Sequence, residues 1–498
     1  MFKIQVTNGK LLESSADVLV VPVAEDLRML DFLGPKTREE VKKLAKVRGF
    51  KAGWGEAVLF PCVAGVKQAV ALIGTGKDGD VNRRKEGLRR GVGSVLLQMR
   101  QSGWRSLGIS VHNFSSQEAV ELAGAMVEGA TLADYRYTET SKRLKEKHAV
   151  QSLKSLDIYA VEESVASVKK SVLRAQNIMR GVELARDLVN RPADRMNPEQ
   201  LVKVARELAK NNKEISLKVY DRKQAEKAGF RAFLAVAQGS ETQPYVIHYK
   251  YKPKKSGGKK VVLIGKGVTF DSGGLSLKPG NAMETMKLDM AGAAAVLGVL
   301  AILPVLKPNV EVHGMIAACE NMPSGKAYRP GDVLTAKNGT TIEVVNTDAE
   351  GRLTLADMLT YAAEQKPTAV IDLATLTGAC MVALGETVAG LVGNNEDLAK
   401  GIMAACERSG ERVAELPLPD EYRAMLDSNV ADIKNLSSSS WGGAITAGIF
   451  LREFVGDADW AHIDIAGPSY AESARIPYWQ NGATGYGVRL LAEYLSFI

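Results

Sequence analysis

Cysteine and histidine are scarce in this chain, four and five residues among 498. Cys62, Cys319, Cys380 and Cys406 stand far apart and mostly inside apolar runs, so neither a disulfide framework nor a Cys-x-x-Cys metal knuckle can be built from them. Buried free thiols in a reducing compartment are expected. His112, His148, His248, His313 and His462 form no His-Glu-x-x-His motif, and each reads as a surface or core histidine and not as a ligand. A dominant charge is missing too: 64 basic against 57 acidic residues leave a net +7, too mild over this length to indicate nucleic-acid binding. The most basic stretches, 36–48 and 83–90, have amphipathic helical patterns that a solvated helix face explains. No run reaches the roughly 18 uninterrupted apolar residues of a membrane span. Met1 to Lys10 alternates polar and apolar residues where a secretory leader would show a charged start and an apolar core. The expectation is a soluble, cytoplasmic protein with no membrane partner.

What is present is the composition of a globular chain, 46% hydrophobic and 24% charged, with more residues than the roughly 250 to 300 over which one core usually grows. Two domains are therefore expected. In the first third, short apolar runs at 18–23, 69–74, 107–111 and 156–161 read as buried strands between helical patterns at 39–47, 86–101 and 118–133. This marks a smaller N-terminal α/β domain, 1–165, followed by a connecting helix, 166–192, that stops at the turn signals Asn190 and Pro192. Residues 193–498 form a larger α/β unit with strands at 216–220, 245–249, 261–264, 310–317, 341–345, 369–373 and 462–465. Uninterrupted apolar strands flanked by helices predict a central sheet covered on both faces, the α/β/α arrangement, with ligands beyond the carboxyl ends of its strands. Gly74, Gly76 and Gly79 spell Gly-x-Gly-x-x-Gly after a strand, but a lone motif of this kind is weak, and a plain strand-to-helix turn explains it.

Two polar clusters carry the chemistry. The first, Gly265 to Gly274, follows the 261–264 strand and sets Lys266 and Asp271 among glycines that leave room for convergence. Asp289, just ahead of an Ala-rich helix, taken alone reads as a cap complementing the helix dipole. The second cluster, Asn346 to Leu353, follows the 341–345 strand; if the chain stays extended, Asp348, Glu350 and Arg352 share one side by period-two alternation. A solvent-exposed ion cluster is the alternative. Asp271, Asp289, Asp348 and Glu350 placed together would repel unless protons or cations neutralised them, and two divalent ions answer that need, with oxygen ligation giving no strong choice among Zn, Mn, Mg and Co.

Asn346 to Leu353 reads Asn-Thr-Asp-Ala-Glu-Gly-Arg-Leu, which resembles the eight-residue signature of the leucyl (cytosol) aminopeptidases. Gly265 to Gly274 is similar to that family's first metal segment, and 185–192, 287–292, 372–378, 441–455 and 462–467 resemble it further. The resemblance implies a macro-like N-terminal domain and a metallopeptidase domain with a mixed central sheet. It also implies that Lys266, Asp271, Asp289, Asp348 and Glu350 hold two divalent ions, Mn or Zn, with Asp271 and Glu350 bridging both. Lys278 would stabilise the oxyanion, and Arg352 would hold a bicarbonate that shuttles a proton. A counter-ion for Asp348 or Glu350 is the alternative for Arg352. The implied activity is removal of the first residue, Leu or another apolar one, from peptides with a free N-terminus, by a homohexamer. Another two-metal hydrolase, such as a phosphoesterase, and an additional DNA-binding role are the alternatives.

Overall fold

Apolar runs too short for helices build two main sheets. The computed structural model describes residues 2–498 apart from 25–26, 28–29, 31–32, 78–79, 211 and 255–256, so Gly79 of the glycine pattern lies outside the described residues. Two compact units result: Met1–Met179 with Ser473–Asn481, and Arg180–Glu472 with Gly482–Ile498. The division falls inside the long helix Val165–Asn190.

In the first unit, β1 (Lys3–Thr7), β2 (Val18–Val23), β3 (Ala57–Phe60), β4 (Ala69–Gly74), β5 (Ser106–Ser110) and β6 (Ser155–Tyr159) lie in the order β1-β6-β5-β2-β4-β3. All neighbours are parallel except β3, which runs antiparallel to β4 at one edge. β2 and β4 are buried along their whole length, hence their unbroken apolar sequences. β1, at the other edge, is nowhere fully buried, and its mixed composition hides it from a hydrophobicity reading. The helix after the glycine pattern begins at Val81, earlier than the pattern at 86–101, because Asp80 accepts the Asn82 N–H at 3.1 Å and caps it. The basic stretch on this helix is more than a solvated face: Arg89 is buried and bonds Glu128 at 2.5 Å, and Arg90 bonds Glu86 at 2.6 Å. Tyr478, from the returning segment, donates to Glu86 at 3.0 Å.

The second unit contains β7 (Ile215–Tyr220), β8 (Tyr245–Tyr251), β9 (Lys260–Asp271), β10 (Glu311–Asn321), β11 (Val333–Thr335), β12 (Thr341–Glu343), β13 (Ala369–Ala374), β14 (Val388–Gly393), β15 (Arg412–Glu415), β16 (Ile433–Lys434) and β17 (Trp460–Asp464). Eight of them form a mixed sheet, β15-β14-β17-β13-β9-β10-β8-β7, and a small sheet β11-β12-β16 stands beside it in sequence order. The centre, β17-β13-β9-β10, is parallel; β8 and β14 join antiparallel on either side. One face of β9 is covered by the helix Ala291–Leu306, whose approach is backbone to backbone: a Cβ on Gly265 would lie 2.5 Å from the Gly292 carbonyl oxygen. The segment Gly280–Leu306 is long and apolar enough, by length and composition, to cross a membrane. Glu284, Lys287 and Asp289 interrupt it, and its uninterrupted apolar stretch, Met290 to Leu306, stays short of the expected threshold. Most of it is buried inside this unit, as befits a core helix.

A line of hydrogen bonds crosses β7, β8 and β10. Tyr220 meets Tyr361 at 3.0 Å, Tyr361 meets His248 Nδ1 at 2.8 Å, His248 Nε2 meets His313 Nδ1 at 3.1 Å, and His313 Nε2 meets Glu311 at 2.7 Å. The Glu311 carboxylate only accepts, so His313 carries its proton on Nε2 and His248 does the same toward His313. Burial first, then His313, Lys250 and Lys218, lower His248 from 6.5 to about 3. A histidine depressed in the folded state stabilises the fold above its unfolded value, and that contribution is lost as pH falls below 6.5 toward the folded value. Urea unfolding followed from about pH 7.5 down to about pH 5 should therefore lose up to roughly 1.4 kcal/mol per pH unit from this group. His248→Gln should flatten the dependence; an unaltered slope would disprove the assignment.

Candidate metal centre and active site

β9 carries the first half of the site, and it runs past the expected end at Ile264 as far as Asp271. Lys266 therefore lies within the strand and not in a loop after it. Lys266 and Asp271, five positions apart, would face opposite sides of a regular strand. The register with β10 slips at Cys319/Glu320: Val268 pairs Cys319 and Phe270 pairs Glu320, leaving Thr269 as an extra residue. This bulge restores a common side, since Lys266 and Asp271 pair with Ala317 and Asn321, four positions apart on β10.

The second half arrives differently from the extended reading. β12 ends at Glu343, and the chain turns before the helix Gly351–Ala363, with Glu350 at its N-cap in helical conformation, φ −78° and ψ −35°. Period two thus does not apply to Asp348, Glu350 and Arg352; a turn and a helix start place them. Gly351 leaves room for the lysine, since a Cβ there would lie 2.6 Å from Lys266 Cε and would push that side chain away. Asp289 is no cap either. It sits in the 3-10 turn Met286–Met290, while the following helix starts after Met290 without a side-chain cap.

The side chains converge. Lys266 Nζ lies 2.7 Å from Asp289 Oδ1, 2.8 Å from Glu350 Oε1 and 3.0 Å from the Thr375 carbonyl oxygen, to which it donates. Thr375 Oγ1 donates to Asp289 Oδ1 at 2.7 Å. Lys278 Nζ lies 3.0 Å from Asp271 Oδ2 and 2.5 Å from Asp348 Oδ1. Asp271 Oδ1 accepts from Gly273 N and Asn321 Nδ2, both at 2.9 Å. One oxygen each of Asp271, Asp348 and Glu350 fall within 4.8 Å of one another. Arg352 stands apart from this group, its Nη1 donating to the Asn435 carbonyl at 2.8 Å.

Four carboxylates thus face two ammonium groups, and all but Asp348 and Lys278 are buried. Burial, and after it the charge of Asp271, push Asp348 and Glu350 above the usual carboxylate range. Burial raises Asp289 still further, against the pull of Lys266. Burial works to lower Lys266, but Asp289, Glu350 and Asp271 outweigh it and hold the ammonium above its ordinary value. Burial brings Arg352 down to about 10. Among the described residues Asp289 Oδ2 is buried with no hydrogen-bond partner, a costly state for a carboxylate. Excess acidic charge, oxygen donors within one small radius and an unpaired buried oxygen fit a cation site.

Asn321, Thr375 and Asn435 were not visible as site residues in the sequence. Each acts through backbone or carboxylate contacts with segments remote in the chain, and no local pattern marks them. His462 is a buried core histidine, bonded to Asp372 at 2.5 Å, whose other oxygen accepts from Trp460 Nε1 at 2.7 Å.

Residues 183–492 match the cytosol aminopeptidase family, catalytic domain, and residues 20–143 that family's N-terminal domain. A probable cytosol aminopeptidase of Aquifex aeolicus (strain VF5) is 44% identical over 473 residues, covering 94% of this chain and 93% of the relative. One from Sulfurihydrogenibium sp. (strain YO3AOP1) is 41% identical over 504 residues, covering 99% and 97%. Among solved structures, a tomato leucine aminopeptidase mutant superimposes with TM-score 0.86 at 34% identity, covering 99% of this chain and 96% of the other. The bottromycin maturation enzyme BotP in complex with Mn gives TM-score 0.82 at 33% identity, covering 97% and 99%.

Proposed function

The chain belongs to the cytosol aminopeptidase family and is an N-terminal peptide hydrolase, and from that premise we propose that it works with two divalent cations held by Lys266, Asp271, Asp289, Asp348 and Glu350. The observation that carries this is the meeting of Asp271, Asp348 and Glu350 oxygens within 4.8 Å, beside an Asp289 oxygen left without a partner. When bound, such a pair of cations polarises the scissile carbonyl and lowers the pKa of a water.

The chain's own residues do the rest. Lys278, a cation outside the donor set, would balance negative charge developing on the carbonyl oxygen. Lys266 could hold a metal only as a neutral amine, and would have to give up the proton that Asp289 and Glu350 favour. Asp289 is the carboxylate that would receive a substrate's free amine. Arg352, whose buried Nε has no hydrogen-bond partner among the described residues, suits a planar anion such as bicarbonate. Manganese is supported by the Mn complex of BotP, and the oxygen-rich donor set leaves zinc open. A cytoplasmic setting is supported by relatives named cytosol aminopeptidases. A homohexamer, the state the family resemblance implies, is the proposed assembly.

The test is a panel of short peptides. Free leucine should be released first from a Leu-headed peptide, a chelator should stop the release, Mn2+ should restore it, and phosphate esters should remain intact. Cleavage by protein shown to be metal-free would end the two-cation reading.

A further inference from the structure

Asn435 is fully buried and directly follows β16, where that strand runs parallel to β12, with Ile433 beside Ile342 and Lys434 beside Glu343. Beyond these pairs regular pairing stops, and the Asn435 side chain holds the residues on either side of Thr347, which is itself held separately: its N–H donates to Ser276 Oγ at 3.1 Å and its carbonyl accepts from Asn321 Nδ2 at 2.9 Å and Tyr328 Oη at 2.7 Å. Asn435 N first donates to the Glu343 carbonyl at 2.9 Å. Its Oδ1 then accepts from Val345 N at 2.9 Å and Asn346 N at 3.4 Å, while its Nδ2 donates to the Asn346 carbonyl at 2.7 Å and, at 3.4 Å, to that of Ala349. Its own carbonyl accepts from Arg352 Nη1 at 2.8 Å. The bracing passes on: Asn346 Oδ1 accepts from Asp348 N at 2.7 Å.

Only a primary amide of this length both accepts and donates there. A carboxylate would set an oxygen against two carbonyls, and a hydroxyl could not span both sides. We propose that Asn435 is a positioning residue: its carboxamide fixes the 345–349 turn and its carbonyl fixes the Arg352 guanidinium, so that Asp348, Glu350 and Arg352 are set before cation or peptide arrives. The inference rests on the reading of Asp348 and Glu350 as metal donors. Asn435 makes its hydrogen bonds to the backbone that carries Asp348 and Glu350 and to the Arg352 guanidinium, and not to the proposed donor oxygens.

Asn435→Asp and Asn435→Ser, checked for folding by circular dichroism, should bind Mn2+ about 10 to 100-fold more weakly by chelator competition, the range typical of residues that orient metal ligands. At saturating Mn2+ their kcat should fall about 10-fold or more while KM moves less than about 3-fold, since displacement of the site slows turnover more than it weakens peptide binding. A second measurement compares metal-stripped proteins: exchange of the Val345 and Asn346 amides, whose N–H groups donate to Asn435 Oδ1, should be slow in the wild type and fast in Asn435→Ser. Equal exchange there in the two proteins, or wild-type Mn2+ affinity and kcat in a folded variant, would overturn the proposal. Glu350→Gln run alongside separates the two readings. If it binds Mn2+ like wild type, the metal reading falls and takes the positioning role with it. If it loses Mn2+ while the Asn435 variants keep theirs, the positioning role alone falls.

Discussion

Glu350→Ala should lose bound metal and more than about 100-fold of kcat/KM. The bound reflects that residues merely orienting metal ligands are typically worth ~10 to 100-fold, and Glu350 is proposed as a donor itself. The local structure makes the loss specific. Glu350 is buried, lies 2.8 Å from Lys266 Nζ and shares a 4.8 Å neighbourhood with Asp271 and Asp348. Removing it takes one negative charge from a cluster whose remaining carboxylates are Asp271, Asp289 and Asp348, and it leaves Lys266 to Asp289 and the Thr375 carbonyl. The fold should survive, because the carboxylate makes no helix-capping bond and the helix Gly351–Ala363 starts without one. Metal content by atomic emission, together with turnover of a Leu-headed peptide, checks this. A variant with wild-type metal content would show that Glu350 is no donor.

How far the sequence reveals this site depends on which forces a local pattern records. β2 and β4 are readable to the residue because burial on both faces forces continuous apolar runs. β14, with its two glycines, and β15, half exposed at the sheet edge, leave no such trace. Of the proposed donors, the Asn-Thr-Asp-Ala-Glu-Gly-Arg-Leu motif contains Asp348 and Glu350 alone, and it is not the extended segment that period two implies. Gly351 begins a helix, and the apolar Leu353, Leu355, Ala356, Met358 and Leu359 that follow are helical core residues. Likewise, nothing local discloses that Thr269 is an extra residue in β9 that turns Lys266 and Asp271 to one side. Asn435 is the extreme case. Its contacts lie 83 to 92 residues away, so its importance exists only once β12 and β16 are side by side.

Lys278→Ala should part company with Glu350→Ala in the measurement that matters: metal retained, turnover lost. Lys278 Nζ is 3.0 Å from Asp271 and 2.5 Å from Asp348, so its positive charge competes with a cation for the same carboxylates. Deleting it makes their surroundings more negative, and Mn2+ should bind as tightly as before or tighter. What disappears is a charge donor toward the carbonyl oxygen as it becomes an oxyanion. Loss of one such donor typically costs ~100 to 1,000-fold in kcat, and because the interaction strengthens in the transition state, KM should change little. Burial would depress an isolated lysine at this position, yet Asp271, Asp348 and Glu350 keep this one charged, so the ammonium is available across the neutral pH range. Unchanged kcat in Lys278→Ala would reassign the residue to a counter-ion for Asp271 and Asp348, whereas loss of metal together with turnover would make it part of the frame that holds those two carboxylates in place.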